Sequence, residues 1–325
     1  MTTTPLPDNR LTLRERCEGG LYGSLVGDAL GVPVEFSSRQ QRDVDPVTDM
    51  RAFGTWNQPA GTWSDDGALL LCTAETLIEG TDIERTGAAF VRWMKNSEWA
   101  ARGKLFDIGG ATQAALSRID AGCPATLAGG QGVESNGNGS LMRILPVALR
   151  FHSASPDTVS SIAMQFSAIT HAHIRSQLAC SLYCLIAQSL LAGETIPLAY
   201  QKALTSFRTI ISAYPGEQTH FERLLSGRLP EEPRRSIRSS GYVLDTLEAS
   251  IWCLHHHQDF ATTVLAAVNL AEDTDTTGCV TGGLAGIHYG VSSIPSYWRN
   301  ILPRKNDLKA LFSGFLNACH SPEKL

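Results

Sequence analysis

A chain of 325 residues has room for one large domain or two ordinary ones, because single hydrophobic cores stop growing at roughly 250 to 300 residues. Its 43% hydrophobic and 18% charged composition supports a substantial core and argues against a disordered chain. Lys plus Arg total 27 against 32 Asp plus Glu, and the resulting charge of 27 − 32 = −5 leaves no broad cationic field for nucleic acid or an anionic membrane.

The first residues, MTTTPLPDNRLTLRER, lack the basic stretch and apolar run of a secretory signal. No later apolar segment is long enough to read as membrane-spanning. The eight cysteines are scattered through apolar segments without a CxxC pair. Cys180 and Cys184 share a helix face, but within SLYCLIA they read as buried thiols rather than a disulfide or metal site. These features place the protein in the cytoplasm, with residues 1–10 as an N-terminal extension and 11–320 as one domain.

Helical spacing predicts helices near 13–31, 64–80, 83–96, 107–119, 141–151, 157–169, 173–192, 197–212, 238–254, 259–270 and 276–290. Leu69, Leu70, Leu77 and Ile78, for example, cover one face. Alternating runs are few, so the fold class is all-α. The Pro- and Gly-containing stretch 213–237 reads as a turn or short solvent-facing excursion. Candidate site residues lie on both sides of it, which favours one folded unit over a domain boundary there.

Gly19, Gly23, Gly27 and Gly31 form one helical stripe, and Gly278, Gly282 and Gly286 form another. Each glycine costs an isolated helix about 1 kcal/mol, so tertiary packing has to compensate. Tight backbone approach and direct ligand contact both remain open for these positions.

Two acidic clusters precede apolar helices: Ser64-Asp65-Asp66 and Glu272-Asp273-Thr274-Asp275-Thr276. Serine and early acids are ordinary helix caps. If the two helix starts face each other, however, their carboxylates repel unless cations neutralise them. Carboxylate and hydroxyl oxygens suit magnesium, and two such ions would orient a sugar and a nucleophilic water.

His171 and His173 stand two residues apart, and His255, His256 and His257 read as a surface or helix-end run. HExxH, GxSxG and a GK[ST] phosphate loop are all absent, which argues against zinc-protease, serine-esterase and nucleotide-triphosphatase chemistry. Asn136-Gly137-Asn138-Gly139-Ser140-Leu141-Met142-Arg143 would serve either as an Asn/Gly turn with a capping serine or as a diphosphate cradle.

Taken in order, GGLYGSLVGDALGVPVEF (19–36), TWSDDGALLL (62–71), NGNGSLMRILPVAL (from 136), ITHAHIRS (169–176) and EDTDTTGCVTGGLAG (272–286) resemble the ADP-ribosylglycohydrolase family, which includes dinitrogenase-reductase-activating members. The resemblance implies a compact all-helical domain around two Mg2+, with Mn2+ as a substitute. Ser64, Asp65 and Asp66 match one metal triplet, where threonine often replaces the serine. Asp273, Asp275 and Thr276 match the other.

Glu35 matches a mobile acid near the metals and joins Asp65, Asp66 and Asp275 as the catalytic set. Asp28 reads as backbone support. Asn138, Gly139, Ser140, Met142 and His171 match the substrate segment, with Gly139 and Ser140 closest to the diphosphate or distal ribose. Gly109 and Gly110 match a cleft loop that Asp107 fixes.

The implied reaction is hydrolysis at the anomeric carbon of ADP-ribose, with the acids titrating as a coupled set so that no single base is assigned. ADP-ribosylarginine on protein is the first choice of substrate. Serine-linked or small-molecule conjugates, a noncatalytic ADP-ribose-binding relative, and a two-metal phosphoesterase are the alternatives. No nucleic-acid or membrane partner is expected.

Overall fold

The computed structural model describes residues 11–320; the expected extension at 1–10 lies outside them. Among the described residues every regular element is helical, and the only strand-like pairings are the isolated bridges Phe53 with Gln58, Gly130 with His171 and Gly137 with Tyr242. In chain order the helices are α1 (Leu13–Gly31), α2 (Arg39–Val44), α3 (Asp65–Leu77), α4 (Ile83–Asn96), α5 (Gly110–Asp120), α6 (Ala125–Ala128), α7 (Leu145–Arg150), α8 (Pro156–Ala168), α9 (Ile174–Leu191), α10 (Ile196–Ile211), α11 (Glu222–Leu225), α12 (Val243–His256), α13 (Phe260–Val268), α14 (Thr274–Tyr289), α15 (Ser296–Ile301) and α16 (Lys305–Cys319). The fold is all-α and compact, and among the described residues no helix is long and apolar enough to cross a membrane.

The centre is the pair α1 and α14, buried along most of their length. Their glycine stripes face each other: a Cβ on Gly19 would fall 2.1 Å from the Gly286 carbonyl oxygen, one on Gly23 2.2 Å from that of Gly282, and one on Gly27 2.0 Å from that of Gly278. Close backbone approach is therefore the use of the interior glycines. The remaining core wraps this pair, with α9, α12 and α13 packed on α14 and α16 packed on α1. On α16, Phe312 meets Tyr22 of α1 edge to face at 4.9 Å.

Several boundaries differ from the spacing-based expectation. Residues 141–143 precede α7 as a turn, because the Leu141 and Met142 amides both donate to the Asn138 carbonyl. Helix α12 begins at Val243 rather than near 238, where the chain is engaged with other loops. The 213–237 stretch carries short helical turns and buries Phe221, Leu224 and Leu229, and the Glu232 carbonyl accepts from Trp252 Nε1 at 2.8 Å. It packs onto the core rather than making only an excursion into solvent. Helices α15 and α16 were not among the expected segments, although α16 repeats buried apolar residues at helical spacing (Leu308, Leu311, Phe312, Phe315).

Candidate metal centre and substrate cavity

The C-terminal end of α1 aligns the starts of the two acid-bearing helices. Asp28 on α1 accepts from the Ser64 amide at 3.0 Å and the Gly67 amide at 2.8 Å, capping α3 from outside. At the last position of α1, Gly31 has no side chain: a Cβ there would lie 2.3 Å from the Asp275 Cα. The Gly31 carbonyl also accepts from Thr274 Oγ1 at 2.8 Å, so the N-terminus of α14 docks directly on α1.

Four segments are stitched together around this junction. Phe36 donates its amide to the Glu272 carbonyl at 2.7 Å, Asp273 to that of Ser239 at 3.0 Å, and Asn138 to that of Gly241 at 3.0 Å. The backbone thus brings residues 35–37, 136–138, 239–243 and 271–273 together.

At the junction the carboxylates converge. Oxygens of Glu35, Asp273 and Asp275 all lie within 4.8 Å of one another. Asp66 Oδ2 accepts from Ser64 Oγ at 3.0 Å and from Thr276 Oγ1 at 3.4 Å, joining the two clusters. Asn138 Nδ2 donates to Asp273 Oδ2 at 2.9 Å, and the Gly109 amide donates to Asp65 at 3.4 Å.

Three buried carboxylate oxygens, Asp66 Oδ1, Asp273 Oδ1 and Asp275 Oδ2, have no hydrogen-bond partner. Buried unpaired carboxylate oxygens are costly. Burial, reinforced by the neighbouring acids, raises the pKa of Asp65, Asp66 and Asp275 well above the usual range. Burial and Asp107 push Glu35 up to about 9, and burial raises Asp28 to about 7. An all-oxygen donor set with orphaned atoms and mutual repulsion fits a hard divalent cation.

The cluster floors a cavity of about 380 Å³. Of the expected site residues, Glu35, Asp65, Asp66, Asp273, Thr276, Gly109, Gly110, Asn138, Gly139, Met142 and His171 line it. Asp275 joins the carboxylate cluster from the first turn of α14, and Ser64 reaches it through Asp66. Ser140 points elsewhere: its hydroxyl is fully buried, accepts from Ser167 Oγ at 2.8 Å and lies 3.4 Å from Cys180 Sγ. The turn at 138–142 carries that side chain into the core, and Ser140, expected closest to the diphosphate or distal ribose, is not among the residues that line the cavity.

His171 is oriented from behind. Arg143, stacked on the Phe90 ring at 4.5 Å, donates to the Phe166 carbonyl at 3.2 Å and to Thr170 Oγ1 at 2.8 Å. Arginine only donates, which leaves the Thr170 hydroxyl proton for His171 Nδ1, 2.8 Å away. Nε2 then carries the imidazole proton and lies on the cavity side, 3.4 Å from where a Cβ on Gly137 would stand. Burial, aided by the Arg143 charge, lowers the His171 pKa to about 3, so this donor is neutral.

Sequence reasoning gave Asp107 only a loop-fixing role, yet it lines the cavity at φ 53°. It missed Phe36, Thr112, Glu134 and Gly241, which also line the cavity, and Trp56, whose Nε1 donates to Glu35. The first of these follows Glu35 directly; for Trp56 and Gly241 no local pattern gave a signal. The histidine triplet ends α12, where His255 and His256 bond back to carbonyls one turn earlier, in keeping with its helix-end reading.

A family model described as ADP-ribosylglycohydrolase matches residues 9–324. The chain belongs to this family. It is 35% identical over 296 residues to the ADP-ribosylarginine hydrolase Tri1 of Pseudomonas putida (strain GB-1), covering 87% of this chain and 73% of that protein. A second relative, the ADP-ribosylarginine hydrolase Tri1 of Serratia proteamaculans (strain 568), is 30% identical over 300 residues, covering 91% and 78%. The ADP-ribosyl-[dinitrogen reductase] glycohydrolase of Rhodospirillum rubrum is 28% identical over 300 residues, covering 90% and 92%.

Among solved structures, an "ADP-ribosylglycohydrolase-related protein complex" superposes with a TM-score of 0.79 at 29% identity, covering 94% of this chain and 99% of that one. This ADP-ribosylglycohydrolase is accordingly an enzyme that hydrolyses ADP-ribose conjugates. Its acidic cluster is consistent with a divalent-metal site.

Proposed function

We propose that the enzyme releases ADP-ribose from modified arginine side chains on protein, using two Mg2+ held by Ser64, Asp65 and Asp66 on one side and Asp273, Asp275 and Thr276 on the other. The observation that carries the metal-dependent reading is the set of orphaned carboxylate oxygens where the α3 and α14 starts meet. The arginine linkage is supported by the two relatives described as ADP-ribosylarginine hydrolases. Bound there, the ions would polarise water and the ribose hydroxyls and offset the charge of the acids.

The chain's own groups bind and orient. Gly139 brings its backbone close to the imidazole, where a Cβ would come within 2.8 Å of His171 Cε1. The His171 Nε2 proton then serves a phosphate oxygen of the diphosphate. Asn138, bonded to Asp273, holds that acid toward the distal ribose. Gly109 and Gly110 leave room beside Asp65, and Met142 packs against the sugar. Glu35, held by Trp56 at the wall, stands beside the glycosidic bond; the cluster of acids, rather than one member, manages the proton.

The same reading takes residues 11–320 as one domain, supported by a core that runs continuously from α1 to α16. It also places the enzyme in the cytoplasm, supported by eight cysteines that are all free.

The test offers arginine-linked, serine-linked and small-molecule ADP-ribose conjugates separately with Mg2+ and identifies products by mass. Free ADP-ribose is expected from the arginine-linked substrate and none after chelation. Asp65→Asn and Asp275→Asn should each lower the rate by at least the roughly 10- to 100-fold that outer-shell partners of a metal cost. Full activity in both variants would remove the proposed site, and release from serine alone would replace the acceptor.

A further inference from the structure

Phe36 is an apolar side chain displayed rather than buried. The residue, directly after Glu35, is 67% exposed, and its backbone sits at φ 62°, a region that bulky residues avoid. The backbone pairing that holds it there is reciprocal: Phe36 donates to the Glu272 carbonyl at 2.7 Å and Glu272 donates to that of Ser37 at 2.9 Å. The ring is thereby kept on the cavity wall instead of folding into the core.

Phe36 does not stand alone. Its ring lies 6.1 Å from Trp56 at 62°, and Trp56 lies 5.8 Å from Phe106 at 51°. Trp56 donates to Glu35, and Phe106 precedes Asp107. Phe36 thus lines the cavity beside Glu35 with Trp56 and Phe106 packed behind it, and Asn138, Gly137, Gly139 and His171 also line the cavity. A flat apolar face is complementary to a planar delocalised cation, which stacks on aromatic rings.

We propose that Phe36, backed by Trp56 and Phe106, forms the acceptor subsite on which the guanidinium of an ADP-ribosylated arginine stacks, making this rim a determinant of acceptor specificity. The inference rests on the arginine linkage proposed above. It assigns the rim to the leaving acceptor and not to adenine, which exits past His171 if the diphosphate lies on the Gly137–Gly139 turn.

The test compares wild type with Phe36→Leu, which keeps an apolar side chain without a π face, and Phe36→Tyr, which restores the ring. Two quantities are read: KM and kcat for ADP-ribosylated agmatine, and the calorimetric Kd for free ADP-ribose, both with Mg2+. Phe36→Leu should raise KM about two- to fivefold with kcat within about twofold and Kd unchanged, and Phe36→Tyr should keep the wild-type KM.

A Kd that rises together with KM would assign the ring to ADP-ribose and overturn the subsite, as would an unchanged KM or a KM not restored by tyrosine. These outcomes leave arginine hydrolysis standing. A wild type that cleaves only serine-linked substrate would overturn both readings.

Discussion

Asp28, Ser140 and His171 show how a side chain's partners, more than its type, decide its use. Asp28 stands within the family-like GDALG segment and resembles a metal ligand in composition, but both its oxygens are occupied by amides of the α3 N-terminus. Ser140 spends its hydroxyl on Ser167 and Cys180 beneath the cavity. His171 faces the cavity with a proton fixed by Thr170 and Arg143.

The His171 pKa, lowered to about 3, makes a stability prediction whose sign follows from linkage. Below pH 6.5 the unfolded chain protonates this histidine while the folded chain does not, so its contribution to stability falls as pH drops from about 6.5 toward 3. Relative to His171→Asn, wild type should lose roughly 1 kcal/mol per pH unit between pH 6 and 4.5, measured by urea unfolding at several pH values. Parallel pH profiles for the two proteins would show that the imidazole titrates normally in the fold.

Among the elements, the α1–α14 pair governs the rest, because the same contact that packs the core also sets the separation of the acidic helix starts. A methyl group at Gly23 would meet a carbonyl oxygen of α14, and main chain, unlike a flexible side chain, cannot swing aside. Gly23→Ala should therefore destabilise the protein by about 1–3 kcal/mol or more, with a lowered midpoint in chemical denaturation. Substitution at Gly216, where nothing lies within 4 Å of an added Cβ, is the control and should stay within about 0.5 kcal/mol. Equal midpoints for the two alanine variants would contradict the close approach.

For the molecule as a whole, the acidic centre opposes folding when its charges are uncompensated and supports it when they are neutralised. Removing one of several crowded buried carboxylates relieves repulsion, so Asp275→Asn should melt above wild type in chelator. With Mg2+ the order should reverse, since a ligand at 100 times its Kd stabilises the fold by about 2.7 kcal/mol and the variant loses a ligand. Thermal unfolding across a Mg2+ titration measures both, and a wild-type Tm indifferent to the ion would argue against a metal centre.

Much of this was readable from local pattern. The four-residue glycine spacing announced two helices able to touch, Ser64 announced the start of α3, and the oxygen-only chemistry of the two acidic runs pointed to hard cations. Each of these signals lies within a few residues of its cause, as caps and helix faces do. The order of the motifs identified the family for the same reason: they are continuous strings.

What only the tertiary structure decided is how those strings meet. Residues 35, 65–66 and 273–275 are joined through the end of α1 and through loop-to-loop backbone bonds that have no sequence periodicity. Likewise, Ser140 turning into the core and the rings of Phe36, Trp56 and Phe106 gathering beside Glu35 depend on turns whose dihedrals are fixed by distant partners. Local chemistry selects elements at a range of three or four residues, whereas a site assembled across more than two hundred positions exists only once the helices have packed.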